Sequence, residues 1–349
     1  MRKRWRNVLA GFLGAAVFCY PLTAEASARN IPDYYEAEDG NVSFQCVLRL
    51  PERFDKQNFR KAAVTGVYCS DYNACLEKLA EGRAVLNEEI YPAEGDIPEW
   101  HYYSFEDHSV MGTGDTTFFA TENSYHYATV FSHLSNIELG EGGEAVSFSG
   151  MGECEKNAVN LLEQIGLETD MALYGYGLKA QEAQQWEEHM DPDGGYQEDQ
   201  YKQEWTSEDD AYLIYGFQTV QSLPVYHELM FLGGSMKYVT ADNAVLQAVY
   251  TKNGLEQLQV NYLYQFQLLD EAIELQPFEE IARIVSEKLN GTLVEEQYKV
   301  EEARLMEMVR HSQNQSYEVL PVWYVEAVSA SGVTAVLVDA STAQEVFVA

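Results

Sequence analysis

The sequence has little positive charge. Its 22 Lys and Arg residues stand against 56 Asp and Glu residues, which gives a formal net charge of −34. Because no basic patch is available to neutralise phosphates, we expect no binding of nucleic acids and weak or no affinity for anionic membranes. An excess of carboxylates keeps a protein soluble and attracts cations or cationic partners. The composition therefore predicts a solvated acidic surface with non-specific affinity for divalent cations.

The sequence also lacks the motifs of several enzyme classes. It contains no G-x-S-x-G, since "GGSM" at 233–236 has no trailing glycine, and it has neither H-E-x-x-H nor C-x-x-C. A G-x-G-x-x-A pattern occurs at Gly175–Ala180. It is followed neither by an amphipathic helix nor by a strand that ends in Asp or Glu, so dinucleotide binding is not indicated. The sequence thus singles out no catalytic, cofactor-binding or metal-ligating residue and no cofactor.

Histidines give one weaker hypothesis. His101 and His108 share a segment with Asp107, and His126 and His133 follow on a predicted strand pair. On a regular strand His101 and His108 would face opposite ways, so structural or exposed roles are favoured. The alternative is an exported hydrolase that uses Asp or Glu residues with His101 or His108.

A carboxylate-dense stretch, "DPDGGYQED", gives a second weaker hypothesis, because hard cations prefer oxygen ligands. Its acidic residues are Asp191, Asp193, Glu198 and Asp199. The EF-hand spacing fails, since Gln200 stands where a bidentate Glu is needed. We interpret the stretch as part of a long solvated loop over 181–210.

The N-terminus has the pattern of a targeting signal. A basic "MRKRWR" precedes the apolar "NVLAGFLGAAVFCY" and then "PLTAEASA", with cleavage after Ala26 or Ala28. We predict a signal peptide at 1–28 and an exported product, secreted or associated with the cell envelope. An uncleaved N-terminal membrane anchor and a lipid-modified Cys19 are the alternatives. Cleavage after Ala28 removes four basic residues and one acidic residue, leaving 18 basic and 55 acidic residues and a charge of −37.

Four cysteines remain after such cleavage: Cys46, Cys69, Cys75 and Cys154. In an oxidising compartment they permit disulfides in three connectivities. Cys69 and Cys75 are close enough in sequence to close a small loop. The alternative is four buried thiols.

Periodicity predicts three helices and many strands. One helix is capped by Ser70 or Asp71, one runs from Gly152 to Gly166, and one lies between Pro277 and Gly291. Asn253–Gly254 predicts a hairpin whose second arm alternates as far as Leu268, and 122–124 is interpreted as the turn of another hairpin.

These elements predict an α+β fold in which antiparallel sheets are each covered by one amphipathic helix. A helix followed by about four strands occurs twice in tandem. We therefore divide the chain into a signal peptide at 1–28, an N-terminal α+β region at 29–150, a helix-plus-sheet unit at 151–275 and a second such unit at 276–349.

The last strands contain an unusual proline. Residues 317–328 are strand-like, yet Pro321 has no N–H to donate to a sheet ladder. We expect a bulge or a sheet edge there, so that 317–320 and 322–328 do not form one uninterrupted ladder with neighbours on both sides. Trp323 is predicted to pack in the core under helix 278–290.

The order of "YLIYGFQTVQSLPV", "VYTKNGLEQLQV", "LQPFEEIARIVSEKL", "YEVLPVWYVEA" and "VLVDASTAQEV" resembles the YycH/YycI-type exported regulatory proteins. It also resembles related uncharacterised envelope lipoproteins of Gram-positive bacteria, and the helix-on-sheet units are similar to PepSY-type domains. The matching residues are Pro321, Val322, Trp323, Asp339 and Ala340, and Ala343 stands where family members often have glycine. The resemblance implies a non-enzymatic extracytoplasmic protein that binds or regulates another envelope protein.

Overall fold

The computed structural model describes residues 31–94, 98–127, 134, 142–188, 202, 204–228, 244–292, 296–311 and 316–347. The predicted signal peptide at 1–28 lies outside this part of the chain. So do 233–236 and the residues His133, Asp191, Asp193, Glu198 and Asp199. Among the described residues, no helix is both long and apolar enough to cross a membrane.

The fold is mixed α and β and consists mainly of strands. The helices are α1 (Tyr72–Ala80), α2 (Met151–Gln164), α3 (Ala180–Glu188) and α4 (Phe278–Asn290). The first strands are β1 (Tyr34–Asp39), β2 (Val42–Arg49), β3 (Arg60–Gly66), β4 (Val85–Tyr91), β5 (Trp100–Phe105), β6 (Val110–Thr113), β7 (Thr117–Ala120), β8 (Gly142–Gly143) and β9 (Met171–Leu178). The remaining strands are β10 (Ala211–Val220), β11 (Leu223–His227), β12 (Leu246–Thr251), β13 (Gly254–Val260), β14 (Tyr264–Ala272), β15 (Tyr298–His311), β16 (Tyr317–Ser329), β17 (Gly332–Asp339) and β18 (Gln344–Glu345).

Sixteen of these strands join in a single sheet, with β14 and β3 forming a separate pair. The main path runs β18-β17-β16-β15-β11-β10-β12-β13-β7-β6-β5-β4. Strand β15 lies parallel to both β11 and β2, so the sheet is mixed. The expectation of separate antiparallel sheets was therefore wrong. Periodicity reveals which face of a strand is buried, whereas it carries no information about which distant strand will pair with it.

The three predicted helices are present, and their ends follow the expected signals. The Asp71 side chain accepts a hydrogen bond from the Ala74 backbone N–H (2.9 Å), so Asp71 and not Ser70 is the N-cap of α1. Gly166 follows α2 with φ +75°, a conformation that glycine adopts without steric cost. Gly291 is the C-cap of α4.

The apolar stripe of α4 packs on the C-terminal strands. Phe278, Ile281 and Val285 are buried in one cluster with side chains of β2, β15, β16 and β17. Trp323 is fully buried in the same cluster, with its ring edge-to-face against Phe278 at a centroid distance of 5.0 Å. The predicted core role of Trp323 is confirmed. A second, larger cluster joins α1, α2 and α3 to strands of the middle of the sheet, among them β5, β10, β12 and β13, and to side chains of β15, β16 and β17.

Pro321 lies where one side of its strand loses a neighbour. Along β16 the pairing with β15 is continuous from Tyr317 to Val328, whereas pairing with β17 begins only at Val322. The Pro321 carbonyl accepts a hydrogen bond from the Ala340 N–H (2.8 Å). Pro321, which has no N–H to donate, therefore lies where the pairing with β17 ends. The prediction that 317–320 and 322–328 do not share an uninterrupted two-sided ladder is confirmed, although β16 has no bulge at this point.

Three local predictions need correction. Residues after β7 form a short 3-10 helix, Glu122–Tyr127, and not a hairpin turn, because Tyr127 is buried and its hydroxyl donates to the Asp209 carbonyl (2.9 Å). The Asn253–Gly254 hairpin is confirmed as β12 and β13, but its second arm ends at Val260 and the chain turns at Tyr262 (φ +55°) into β14. The predicted loop over 181–210 begins with α3.

The cysteines divide into two classes. Cys69 and Cys75 form a disulfide, as their short separation suggested, whereas Cys46 and Cys154 are free and buried. Burial raises the pKa of both free thiols, that of Cys46 to about 12. They are therefore protonated at neutral pH and are not activated nucleophiles.

In the turn that follows β17, Ala343 has φ +52°, a left-handed conformation that favours glycine.

Candidate functional site

Strand β4 forms an end of the large sheet. All seven of its residues are exposed, and within the described residues it pairs with β5 alone. Its apolar side chains are strongly exposed: Val85 45%, Leu86 68%, Ile90 54% and Tyr91 50%. An exposed edge strand offers unpaired backbone N–H and C=O groups, which makes it a template for another strand. An apolar edge is therefore an interaction surface.

Aromatic rings continue from this edge across one face of the sheet. Tyr91 contacts Trp100 at a centroid distance of 5.5 Å, and Trp100 contacts Tyr102 at 6.0 Å and Phe118 at 6.2 Å. The register explains the row, since Tyr91 opposes Trp100 and Gly112 opposes both Tyr102 and Phe118. We call Tyr91, Trp100, Tyr102 and Phe118 the aromatic row.

Two glycines allow these rings to approach the sheet closely. A Cβ on Gly112 would meet the Phe118 ring at 2.3 Å and the Trp100 indole at 2.6 Å. A Cβ on Gly114 would meet the indole at 2.4 Å. The indole N–H of Trp100 is buried and has no hydrogen-bond partner in the described part of the chain. The glycines thus hold the aromatic row against the backbone, while Tyr91 at its end is half exposed.

The stretch of sequence that contains the edge is rich in carboxylates and poor in basic residues. The sequence contains no Lys or Arg between Arg83 and Lys156. Glu89 and Tyr91 lie on the same strand. The Tyr91 hydroxyl donates a hydrogen bond to Oε2 of Glu89 (2.6 Å), and this bond raises the pKa of the Tyr91 hydroxyl. The edge is therefore acidic as well as apolar, which favours a partner of positive charge.

His101 lies on the opposite face of the same strands. Its Nε2 is 2.8 Å from a carboxylate oxygen of Glu99, and its Nδ1 is 3.2 Å from the Tyr103 hydroxyl and 3.5 Å from Glu88. Tyr72 of α1 stacks on the imidazole at 4.0 Å. Burial, reinforced by Glu88, raises the pKa of Tyr103 to about 12. His101 is 8% exposed, whereas the Glu99 and Glu88 side chains that it contacts are each 45% exposed.

Two other histidines of the hydrolase hypothesis, His108 and His126, belong to different local elements from His101, and His133 lies outside the described residues. His108 lies in the exposed turn between β5 and β6 with φ +63°, so the strand argument for it was wrong. His126 belongs to the 3-10 helix Glu122–Tyr127. Across the described residues, no group of three His, Cys, Asp or Glu side chains could hold a metal ion.

A broad polar cleft of about 1020 Å³ lies at the start of α3. Asp210 closes the helix N-terminus, since its carboxylate accepts from the Ala180 N–H (3.0 Å) and the Lys179 ammonium (2.9 Å). A carboxylate therefore occupies the place where a dinucleotide phosphate would bind. Gly175 and Gly177 lie within β9, packed on Met151 and on the Glu144 carbonyl, so G-x-G-x-x-A has a structural role here.

Three smaller clefts lie elsewhere. One of about 210 Å³ adjoins the aromatic row at Phe118 and is lined by Gln257 and Gln259. One of about 280 Å³ lies beside Pro224, and one of about 510 Å³ beside Tyr264. None of them gathers an acid, a base and a nucleophile.

A second histidine cluster lies where β11, β14, β15 and β16 meet. His227 stacks between Tyr262 (4.8 Å) and Tyr264 (5.9 Å), and His311 packs edge-to-face on Tyr317 (4.5 Å). Burial lowers the pKa of His227 to about 4, against the opposing effect of Glu228. His227 is 2% exposed and is interpreted as a core residue, whereas Tyr262 and His311 of the same cluster are exposed. Sequence reasoning missed it because its members come from four distant strands.

Comparisons with known proteins identify the fold without giving a function. No protein-family model matches the chain, and no curated protein does. The crystal structure of an uncharacterized protein from Eubacterium rectale is similar with a TM-score of 0.59 and 13% identity, over 93% of this chain and 97% of that one. The two proteins share a fold, and at this identity the likeness shows no more than that.

The C-terminal domain of Bacillus megaterium YpeB was also found, at 9% identity over 80% of this chain and 96% of that one. Its TM-score of 0.32 is too low to support an argument. The resemblance to YycH/YycI-type proteins has no matching family model and stays a prediction.

Proposed function

We propose that the chain is an exported, non-enzymatic binding protein of the bacterial cell envelope, which recognises or regulates another envelope protein. The observation that carries this proposal is the exposed apolar edge of β4, continued by the aromatic row. A large apolar patch on a monomer marks an interaction site, whereas singly scattered apolar residues need no explanation. The pattern of the N-terminus supports export, and the resemblance of the C-terminal strands supports an envelope role of the YycH/YycI or PepSY type.

A photo-crosslinking residue in place of Asn87, in the middle of β4, tests this proposal. Asn87 is exposed and its side chain donates a hydrogen bond to Glu89 on the same strand (3.2 Å), so the change leaves the core intact. We expect a discrete crosslinked protein from the envelope of the bacterium that encodes the chain. The control places the same residue at Glu274, which is also exposed but lies between β14 and α4. Equal products at 87 and 274, or none at 87, would contradict the proposal.

A hydrolase is the second candidate, and the Glu99 contact of His101 is the observation that favours it. A carboxylate that orients an imidazole is part of many acid–base sites. Hydrolysis of envelope polymers by the purified chain, abolished by His101→Ala, would support this candidate. An unchanged turnover in that variant would exclude His101 as its base.

A further inference from the structure

We propose that β4 accepts an extended, positively charged segment of the partner protein as an additional antiparallel or parallel strand. This inference rests on the proposed function and specifies the chemistry and geometry of the partner. It combines three observations on the edge: a side of β4 that pairs with no strand among the described residues, the carboxylates of Glu88 and Glu89, and an aromatic row that ends at the edge.

The backbone of β4 supplies the geometry. Added strands gain affinity from main-chain hydrogen bonds, and specificity comes from alternate side chains, which point to opposite faces. On one face the added strand would meet Glu88 and Ile90, which oppose Tyr103 and His101 in β5. On the other face it would meet Glu89 and Tyr91. Each face thus offers one apolar group and one carboxylate to an incoming segment.

The negative charge of the β4 edge favours a basic partner segment over a second copy of this chain. A second copy of this chain would bring the same acidic edge and a formal charge of −34, so pairing of two β4 edges places carboxylates against one another. Natural edges use such like charges to prevent self-pairing. A segment rich in Lys or Arg has the opposite effect, because it finds Glu88, Glu89 and the stretch without basic residues between Arg83 and Lys156.

The aromatic row adds a place for the cationic side chains. Tyr91 is half exposed, and its hydroxyl is fixed by Glu89 at 2.6 Å. A Lys or Arg side chain can therefore lay its aliphatic stem on the tyrosine ring and direct its charge towards the carboxylate. An acidic or neutral segment would gain only the backbone bonds. The chemistry of the edge thus favours a basic, extended polypeptide over other occupants.

Titration of the chain with a peptide of alternating lysine and threonine tests the inference. We expect saturable binding that weakens as the salt concentration rises, since exposed charges are screened. Glu89→Lys and Tyr91→Ala should each reduce the affinity by about tenfold. Glu274→Lys changes the net charge equally, and Tyr34→Ala removes a tyrosine of matched exposure (48% against 50%) from β1. Both controls should keep the affinity within about twofold.

Three outcomes would overturn the inference: equal binding of a peptide of alternating glutamate and threonine, equal losses in the two control variants, or no binding of the basic peptide. Thermal unfolding of each variant shows whether it keeps the wild-type fold. A partner crosslinked at residue 87 together with absent peptide binding would refute the basic-strand inference and leave the proposed function standing. No partner at residue 87 would refute the proposed function itself.

Discussion

Glutamine in place of Glu307 is expected to make the protein more stable than the wild type at pH 9, with little difference at pH 5. Glu307 is 2% exposed and lies in the sheet between Val225 of β11 and Pro321 of β16. Its Oε2 has no hydrogen-bond partner in the described part of the chain. Burial, with a smaller effect of Asp339, raises the pKa of the carboxyl to about 8.

The direction in which the stability changes with pH follows from proton binding. The folded protein holds this proton up to about pH 8, whereas the unfolded chain releases it near its ordinary value of 4.5. The stabilising effect is therefore complete below about pH 4.5 and is lost as the pH rises through 8. At about 1.4 kcal/mol for each of the three pH units between 5 and 8, the wild type loses about 4 kcal/mol relative to the glutamine variant, which does not titrate.

Denaturant unfolding of both proteins from pH 5 to pH 9 measures this difference. His227, with its pKa lowered to about 4, contributes equally to the two proteins and cancels. Glu274→Gln, at an exposed carboxylate, serves as the control for the loss of one carboxylate. A constant difference between the Glu307→Gln variant and the wild type across this range would show that the carboxyl titrates normally.

Alanine in place of Trp323 is expected to lower the free energy of unfolding by about 4 kcal/mol. The indole is fully buried, packs edge-to-face on Phe278 and joins β16 to α4. Its removal leaves a cavity in a cluster that includes strands from both ends of the chain. Urea unfolding measures the loss, and Phe347→Ala, at a 73% exposed ring, should change the free energy by less than about 0.5 kcal/mol.

Phenylalanine at the same position separates packing from hydrogen bonding. The Trp323 N–H is buried without an acceptor among the described residues, so its loss breaks no hydrogen bond. We expect Trp323→Phe to cost about 1 kcal/mol, the effect of lost volume alone. A cost equal to that of alanine would show that the N–H, and not the ring, holds this strand.

The sequence predicted helices and turns better than sheet neighbours, for a physical reason. The stripe of Phe278, Ile281 and Val285 and the Asn253–Gly254 pair are local signals, and the structure confirms both. The parallel pairing of β15 with β2 joins Tyr298 to Val42, and no local pattern records it.

Helix α3 is an element that the hydrophobic pattern of the sequence did not predict. Its "AQEAQQWEE" has little apolar periodicity, yet Glu187 is buried because its carboxylate accepts from the Trp205 indole (2.9 Å) and from the Lys202 backbone N–H (2.6 Å). Tertiary hydrogen bonds of this kind stabilise a polar helix that its sequence alone does not predict.

The candidate site could not be predicted because its sequence suggests a different environment. Val85, Leu86 and Ile90 are apolar residues that normally indicate a buried strand, but the position of β4 at the sheet edge leaves them exposed. The acidic composition is compatible with cationic partners, which stays a prediction, and it gave no place on the chain where acidic, apolar and aromatic groups meet.

Hydrogen exchange of the β4 amides is the most direct test of the central claim that this edge binds a partner strand. Exchange is measured on the free chain and on its complex with the crosslinked partner or the basic peptide. We predict slower exchange at 85–91 on binding and no change in the exposed turn at Lys252 and Asn253. Protection elsewhere with unchanged exchange at 85–91 would contradict the claim.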